Sequence, residues 1–418
     1  MLDELQLNFE KSVKDNNLSS KELEIKKLNF GNFLKNGFPN KRLEDWKFLD
    51  LNQILKSEFK NFNFHQDLID ANEEYFKIIK EFEHNQIFLL DGIFFKSNFQ
   101  FEDMEKIKIS NEKYYDEQIN ENSLVNLNHA FVKKRLKIEV LSGYKANKPL
   151  IIYSNISDKS KSSIINSNIE LVLGDDSSLE VINLSNTPKH INFFNSFCSM
   201  TIKDNAVLKV FDINKDKKNI IEYNFDEIDL NKNSHLEYFI YSSGSKFKKH
   251  EINCSLNQQY GSAVINGILN LGKDNQHEIK TTINHNEENC RSYQLIKNAL
   301  NEKSKGVYQG KIFVDQKAQK TDGYQLSRAL LLSEESEFNA KPELEIYADD
   351  VKCSHGSTSG NIDENAIFYL MSRGLSYYQS RQLLINGFLQ EVIEKISEPK
   401  IKELIKKITG IKDENWSD

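Results

Sequence analysis

The sequence predicts a mainly β protein, a parallel β-helix or stacked solenoid flanked by helical parts at both ends. Three observations predict it. From residue 136 onward, strand-like segments of alternating polarity follow one another, and no proline stands between Pro188 and Pro342. Five of these segments share one pattern: strand, polar turn, strand. The first apolar residue after each turn, Leu179, Leu208, Leu236, Val264 and Tyr293, recurs at steps of 29, 28, 28 and 29, and Tyr324 follows after 31. Lastly, these segments are β-branched and uncapped, which excludes helix-pair repeats, and no L-x-x-L-x-L-x-x-N framework marks a leucine-rich repeat. One turn of such a chain cannot bury its own inner face, so successive turns must stack. The rival, an antiparallel sandwich, places turns every ~8–12 residues. Local turn spacing fits both, and the long period favours the solenoid.

Length divides the chain into three units: residues 1–135, helical and mixed; 136–360, the β-helix core; and 361–418, helical. In the first, Ser19 is placed to cap a helix carrying Leu23, Ile25, Leu28, Phe30, Phe33 and Leu34, which Gly37 and Pro39 stop. Residues 41–51, around Trp46, form a packing segment. Residues 87–95 read as two short strands around an Asp91-Gly92 turn. Residues 122–137 are expected to be helical. In the last unit, Asp363 caps one helix, closed at Arg373-Gly374, Ser376 caps the next, and Pro399 opens a third. These helices are expected to seal an edge of the solenoid that would otherwise aggregate, or to offer a docking surface.

Charge and cysteines narrow the function. The formal net charge of the 418 residues is -7, so no basic surface is offered to nucleic acid or anionic lipid. The start has neither the basic nor the apolar region of a secretory signal, and no apolar run reaches the roughly 18–20 residues of a membrane span. Cys198, Cys254, Cys290 and Cys353 are scattered, as reduced thiols or ligands are. A soluble cytoplasmic protein is expected.

Residues 348–360, A-D-D-V-K-C-S-H-G-S-T-S-G, hold the one place where a cysteine and a histidine stand two apart. On a strand, Cys353 and His355 project from the same face, and thiol with imidazole suits iron or zinc. A Gly/Ser/Thr-rich turn is expected after them, and Asp349 and Asp350 face opposite sides of the strand, a poor general acid/base pair. On spacing alone, a packed thiol beside a structural histidine explains the pair better than a metal site, because free cysteine packs as a small hydrophobe. A cluster needs about four ligands, so a site built on this pair is incomplete in the chain. His277, His285 and Cys290 match no zinc spacing and read as surface or turn residues, a turn separating the two histidines. The run from Gly267 to Asp274 approaches a phosphate loop, but Asp274 stands where Ser or Thr would hold Mg²⁺, so it reads as a repeat strand.

Several runs then resemble one family: G-K-I-F-V from Gly310, A-Q-K-T-D-G-Y-Q from Ala318, K-P-E-L-E-I-Y-A-D-D-V-K-C-S-H-G from Lys341, L-M-S-R-G-L from Leu370, and G-F-L-Q-E-V from Gly387. With G-F-P-N-K-R-L-E-D-W-K-F-L-D-L from Gly37, they are similar to the SufB/SufD family of iron–sulfur cluster assembly proteins. The form D-D-V-K-C-S-H-G resembles its SufD branch. Ser357, Ser359 and Gly323 depart from the commoner Ala, Val and Ala.

The resemblance implies a right-handed parallel β-helix and a non-catalytic subunit of an ATPase-driven complex. Its partners would be a SufB-type subunit and a SufC-type ATPase, the latter docked on residues 363–410. It implies that His355, with Cys353 beside it, faces the SufB-type subunit. A transient iron–sulfur cluster would be shared there, with no cofactor bound permanently. An exposed solenoid edge would also let the isolated chain form a homodimer. Two other readings stay open: a SufB-like primary scaffold holding a cluster alone, and a β-helix carbohydrate-processing enzyme with an acid-lined groove.

Overall fold

The computed structural model describes residues 2–14, 18–64, 76–114 and 120–411; parts of the first and last sequence units therefore lie outside the described residues. The core is a parallel β-solenoid of eight rungs, each giving one strand to each of two sheets. One sheet runs from Lys134–Val140 to Glu337–Ile346, the other from Leu150–Asn155 to Lys352–Asn361. Neighbouring strands in each are two apart in sequence order, so the chain crosses between sheets at every step. The antiparallel hairpin Asn85–Leu90 and Ile93–Asn98 turns around Asp91 and Gly92, both at positive φ, and its first strand extends the second sheet parallel to Leu150–Asn155.

The turns show why the period holds. Asp176, Asn205 and Asn233 occupy the left-handed region at the same place in successive rungs, where Asn and Asp are enriched. Each passes its N–H to a carbonyl of the next rung: Asp204, Lys232 and Gln259, at 2.8, 2.9 and 2.9 Å. The register follows Leu179, Leu208 and Leu236, then reaches Ala263, Ser292, Gly323 and finally Cys353. The predicted members Val264, Tyr293 and Tyr324 are therefore one residue out. The inward residue at that rung is a small alanine, and periodicity favours the larger neighbour.

Inside, an apolar column is continuous from Ile87 to Tyr308. Outside, each sheet is covered by helices. The helices α1 (Leu2–Lys14), α2 (Ser20–Asn36), α3 (Leu51–Glu58) and α4 (Ser123–Phe131) pack on the first sheet through Phe9, Phe33 and Phe131 against Phe193 and Tyr223. Ser19 and Glu22 make a capping box on α2, as predicted. Trp46 is buried, its ring 6.4 Å from Phe247, with the Lys249 ammonium over its face at 4.3 Å. Helix α4 ends at Phe131 and a strand begins at Lys134, so the helix predicted over residues 122–137 is only half there. The Lys134–Val140 segment alternates burial and joins the first rung.

After the last strand come α5 (Glu364–Ser372), capped by Asp363, α6 (Tyr377–Ile393), capped by Ser376, and α7 (Pro399–Thr409). Ile385, Leu389, Val392, Ile401 and Leu404 pack on Ile182, Phe211, Phe239 and Leu295. Helices α6 and α7 cover the outer face of the second sheet. They do not seal its edge, contrary to expectation: Lys352–Asn361 ends the strand order and pairs only with Asp322–Leu331 among the described residues. Covering a face buries apolar side chains, whereas the edge of this last rung offers mainly backbone and small polar groups.

Candidate site at the open end of the solenoid

Residues 352–361 form one continuous strand, not a strand followed by a turn. Its Gly and Ser residues have little strand preference, but ten in-register pairs with Asp322–Leu331 impose the conformation. Asp349 and Asp350 lie before it, in the connection between the last two strands, and so do not share a strand. The Asp350 N–H donates to Gln319 Oε1 at 2.9 Å.

Cys353 and His355 do share one face, the inward one. Cys353 is half-buried against Ile312, Val314, Ala318 and Leu344. Burial, with the Asp322 carboxylate, pushes its thiol above the ordinary value, against a lowering contact from the Gly323 backbone. The neighbour below it in register is Gly323, where a Cβ would come 3.4 Å from the sulfur, in ordinary contact with it. His355 is exposed and makes no hydrogen bond or ion pair among the described residues. No group of three His, Cys, Asp or Glu side chains able to hold a metal occurs among them either.

Periodicity gave no sign of the polar interior beneath. The column ending in His355 reads Val181, Val210, Tyr238, Ile265, Gln294, Gln325. It is apolar but for Tyr238 through the middle rungs and turns to amides in the last ones. The Tyr308 hydroxyl, from the opposite sheet, meets Gln294 Oε1 at 3.2 Å, Gln325 Oε1 at 3.3 Å and Thr281 Oγ1 at 3.3 Å. The Ser327 hydroxyl donates to Ser357 at 3.0 Å.

His277 and His285 are neither surface nor turn residues. Both lie on the strand Gln276–His285 and are fully buried. His277 sits between the hydroxyls of Ser242 and Ser245, each at 2.9 Å, and His285 meets Ser292 at 2.9 Å. Burial pulls both imidazoles down to about 4, so they are neutral. Cys290 is likewise buried, and burial lifts its thiol to about 11.

A second polar region went unseen in the sequence. In the middle rungs, Asp212, Glu222 and Asp226 meet Lys217, Lys248 and His250, and all of these but Lys248 line a cavity of about 90 Å³. Lys248 lies 3.0 Å from Asp212, Lys217 2.9 Å from Glu222, and His250 2.9 Å from Asp226, which also accepts from Tyr238 at 2.6 Å. Burial alone would lower His250, but the carboxylates of Asp226 and Asp212 prevail and lift it to about 9. Three negative charges meet three positive ones, so the charges of this cluster are paired within the chain.

With this geometry in view, the comparisons decide the family. The SUF system FeS cluster assembly family, SufBD core domain, matches residues 138–388, more than half of the chain. The chain belongs to the SufBD family. The SufBD chain is similar to the iron–sulfur cluster assembly protein SufD of Escherichia coli, 38% identical over 162 residues, 39% of this chain and 38% of that protein. It is 24% identical to an iron–sulfur cluster assembly SufBD family protein of Synechocystis, over 86% of this chain and 84% of that one. To the chloroplastic protein ABCI7 of Arabidopsis thaliana it is 29% identical, over 50% of this chain and 44% of that one. The match thus spans less than half of the length of two of these three relatives. No helix of the described residues is long and apolar enough to cross a membrane.

Proposed function

We propose that this SufBD protein is a SufD-like subunit, itself non-catalytic, of a cytoplasmic complex with a SufB-type subunit and a SufC-type ATPase. The observation that carries the reading is the open last rung. It presents a thiol and an imidazole, too few to hold a cluster, on a strand whose far edge pairs with nothing among the described residues. A SufB-type subunit docking on that edge adds backbone pairing and supplies the remaining ligands. The iron–sulfur cluster is then cargo built between the two chains, with His355 and Cys353 contributed from this side. The helices α5 and α6 expose Phe368 and Tyr378, 73% and 70% accessible, with Tyr369, Met371 and Tyr377. Aromatics so exposed suit a docking surface, here for the ATPase. Lys297 strengthens the link from that surface to the rungs: its ammonium donates to the Phe388 carbonyl of α6 at 2.7 Å and pairs with Glu391 at 2.5 Å.

The test uses the purified three-component complex. His355→Ala is expected to leave assembly intact and abolish cluster formation; a normal cluster yield refutes the site. Anaerobic reconstitution of the isolated chain separates the branches. A stable cluster there would place the protein with the SufB-like primary scaffolds.

A further inference from the structure

Gln325 is the in-register neighbour of His355, on the adjacent strand and the same face. Parallel neighbours of this kind lie about 4.8 Å apart, within reach of a glutamine amide. Gln325 is buried, and its amide is braced from two sides: Oε1 takes the Tyr308 hydroxyl, and Nε2 donates to the Glu343 carbonyl of the opposite sheet at 3.4 Å. Below it, Gln294 is fully buried and its Nε2 has no partner. An unmet buried donor costs about 1–3 kcal/mol, so a fold selected only for stability would favour apolar residues at these two positions, as in the rungs before them. Gly310 reinforces the point: a Cβ there would lie 2.2 Å from Gln325 Oε1 and 2.4 Å from the Tyr308 oxygen. The backbone opposite is kept bare where the amides and the phenol meet.

We infer that Gln325, held by the Tyr308 hydroxyl and the Glu343 carbonyl, is a positioning residue for His355: its side-chain carbonyl accepts the proton on one ring nitrogen and leaves the other free for iron. Metal-binding histidines are generally oriented by such a second hydrogen bond, and His355 has no other candidate acceptor bonded to it among the described residues. The inference rests on the reading of His355 as an iron-facing residue, and the test separates the two.

The experiment titrates Co²⁺ alone into the assembled complex, following its visible d–d absorption, for wild type, His355→Ala, Gln325→Leu, Gln325→Glu and Tyr308→Phe. Gln325→Leu is expected to lower Co²⁺ affinity roughly 10–100-fold and alter the spectrum. Gln325→Glu, which keeps an acceptor, restores most of both, and Tyr308→Phe gives a smaller loss. If His355→Ala abolishes binding while Gln325→Leu keeps wild-type affinity and spectrum, the positioning role is wrong and the site stands. If His355→Ala itself binds as wild type, both fall. Should Gln325→Leu fail to assemble, Tyr308→Phe decides, since it removes one hydroxyl; unchanged affinity there overturns the inference.

Discussion

In the middle rungs, Asp212, Glu222 and Asp226 meet Lys217, Lys248 and His250, and every charge finds its opposite inside the chain. In the last rung, on the same backbone and register, Cys353 and His355 meet no partner of that kind among the described residues. The difference teaches where to look for function in a repeat protein. Polar groups that are closed on themselves specify a fold. Polar groups left open at the end of a stack are where the proposed partner would act.

Four predictions sharpen that contrast. The largest effect falls in the middle. Lys248→Met leaves Asp212 and Glu222 short of a cation, and breaking a buried pair costs roughly 3–5 kcal/mol. Equilibrium denaturation of the isolated chain should show that loss, and an unchanged midpoint would mean the cluster is not closed as described.

Next comes pH. His250 is held at about 9, above the usual histidine value, so its contribution is complete below about pH 6.5 and lost as pH climbs through 9. A shift of this size is worth roughly 3 kcal/mol. His277 and His285 are held near 4, so what they contribute is present above about pH 6.5 and lost as pH falls towards 4. Melting temperature measured from pH 4 to pH 10 should be highest near pH 6.5 and fall on both sides. A flat alkaline limb would remove His250 from the network.

Gly310→Val comes third. It forces Gln325 and Tyr308 apart, an overpacking cost of about 1–3 kcal/mol, with weakened Co²⁺ binding in the complex. The smallest effect on stability belongs to His355, the residue proposed to face the partner. His355→Ala removes an exposed, unbonded side chain and should change stability by no more than about 0.5 kcal/mol. A larger change in urea denaturation would make His355 a structural residue.

Much of this was legible in the sequence. The repeat steps of 28 to 31 residues announced stacking, and Ser19, Asp363 and Ser376 marked helix starts the structure keeps. The two-residue spacing of Cys353 and His355 correctly put them on one face. What failed had physical causes. Gly and Ser at residues 356–360 suggested a turn, but a strand templated by its neighbour tolerates them. His277 and His285 looked superficial because burying imidazoles requires partners, and those partners, Ser242, Ser245 and Ser292, are distant in sequence for His277 and across a turn for His285. The Gln294–Gln325–His355 column could have been found by applying the repeat register to polar residues as well as apolar ones. The middle charge cluster had no local signal, since its members come from several strands.

The claim on which the rest depends is that the last strand is an open edge completed by a partner. Hydrogen–deuterium exchange of residues 352–361, in the isolated chain and in the proposed complex with a SufB-type subunit, tests it most directly. The account predicts that outward-facing amides of this strand exchange rapidly alone and become protected in the complex, with the strand Ile220–Leu230 protected in both. Equal exchange of residues 352–361 in the two states would contradict it.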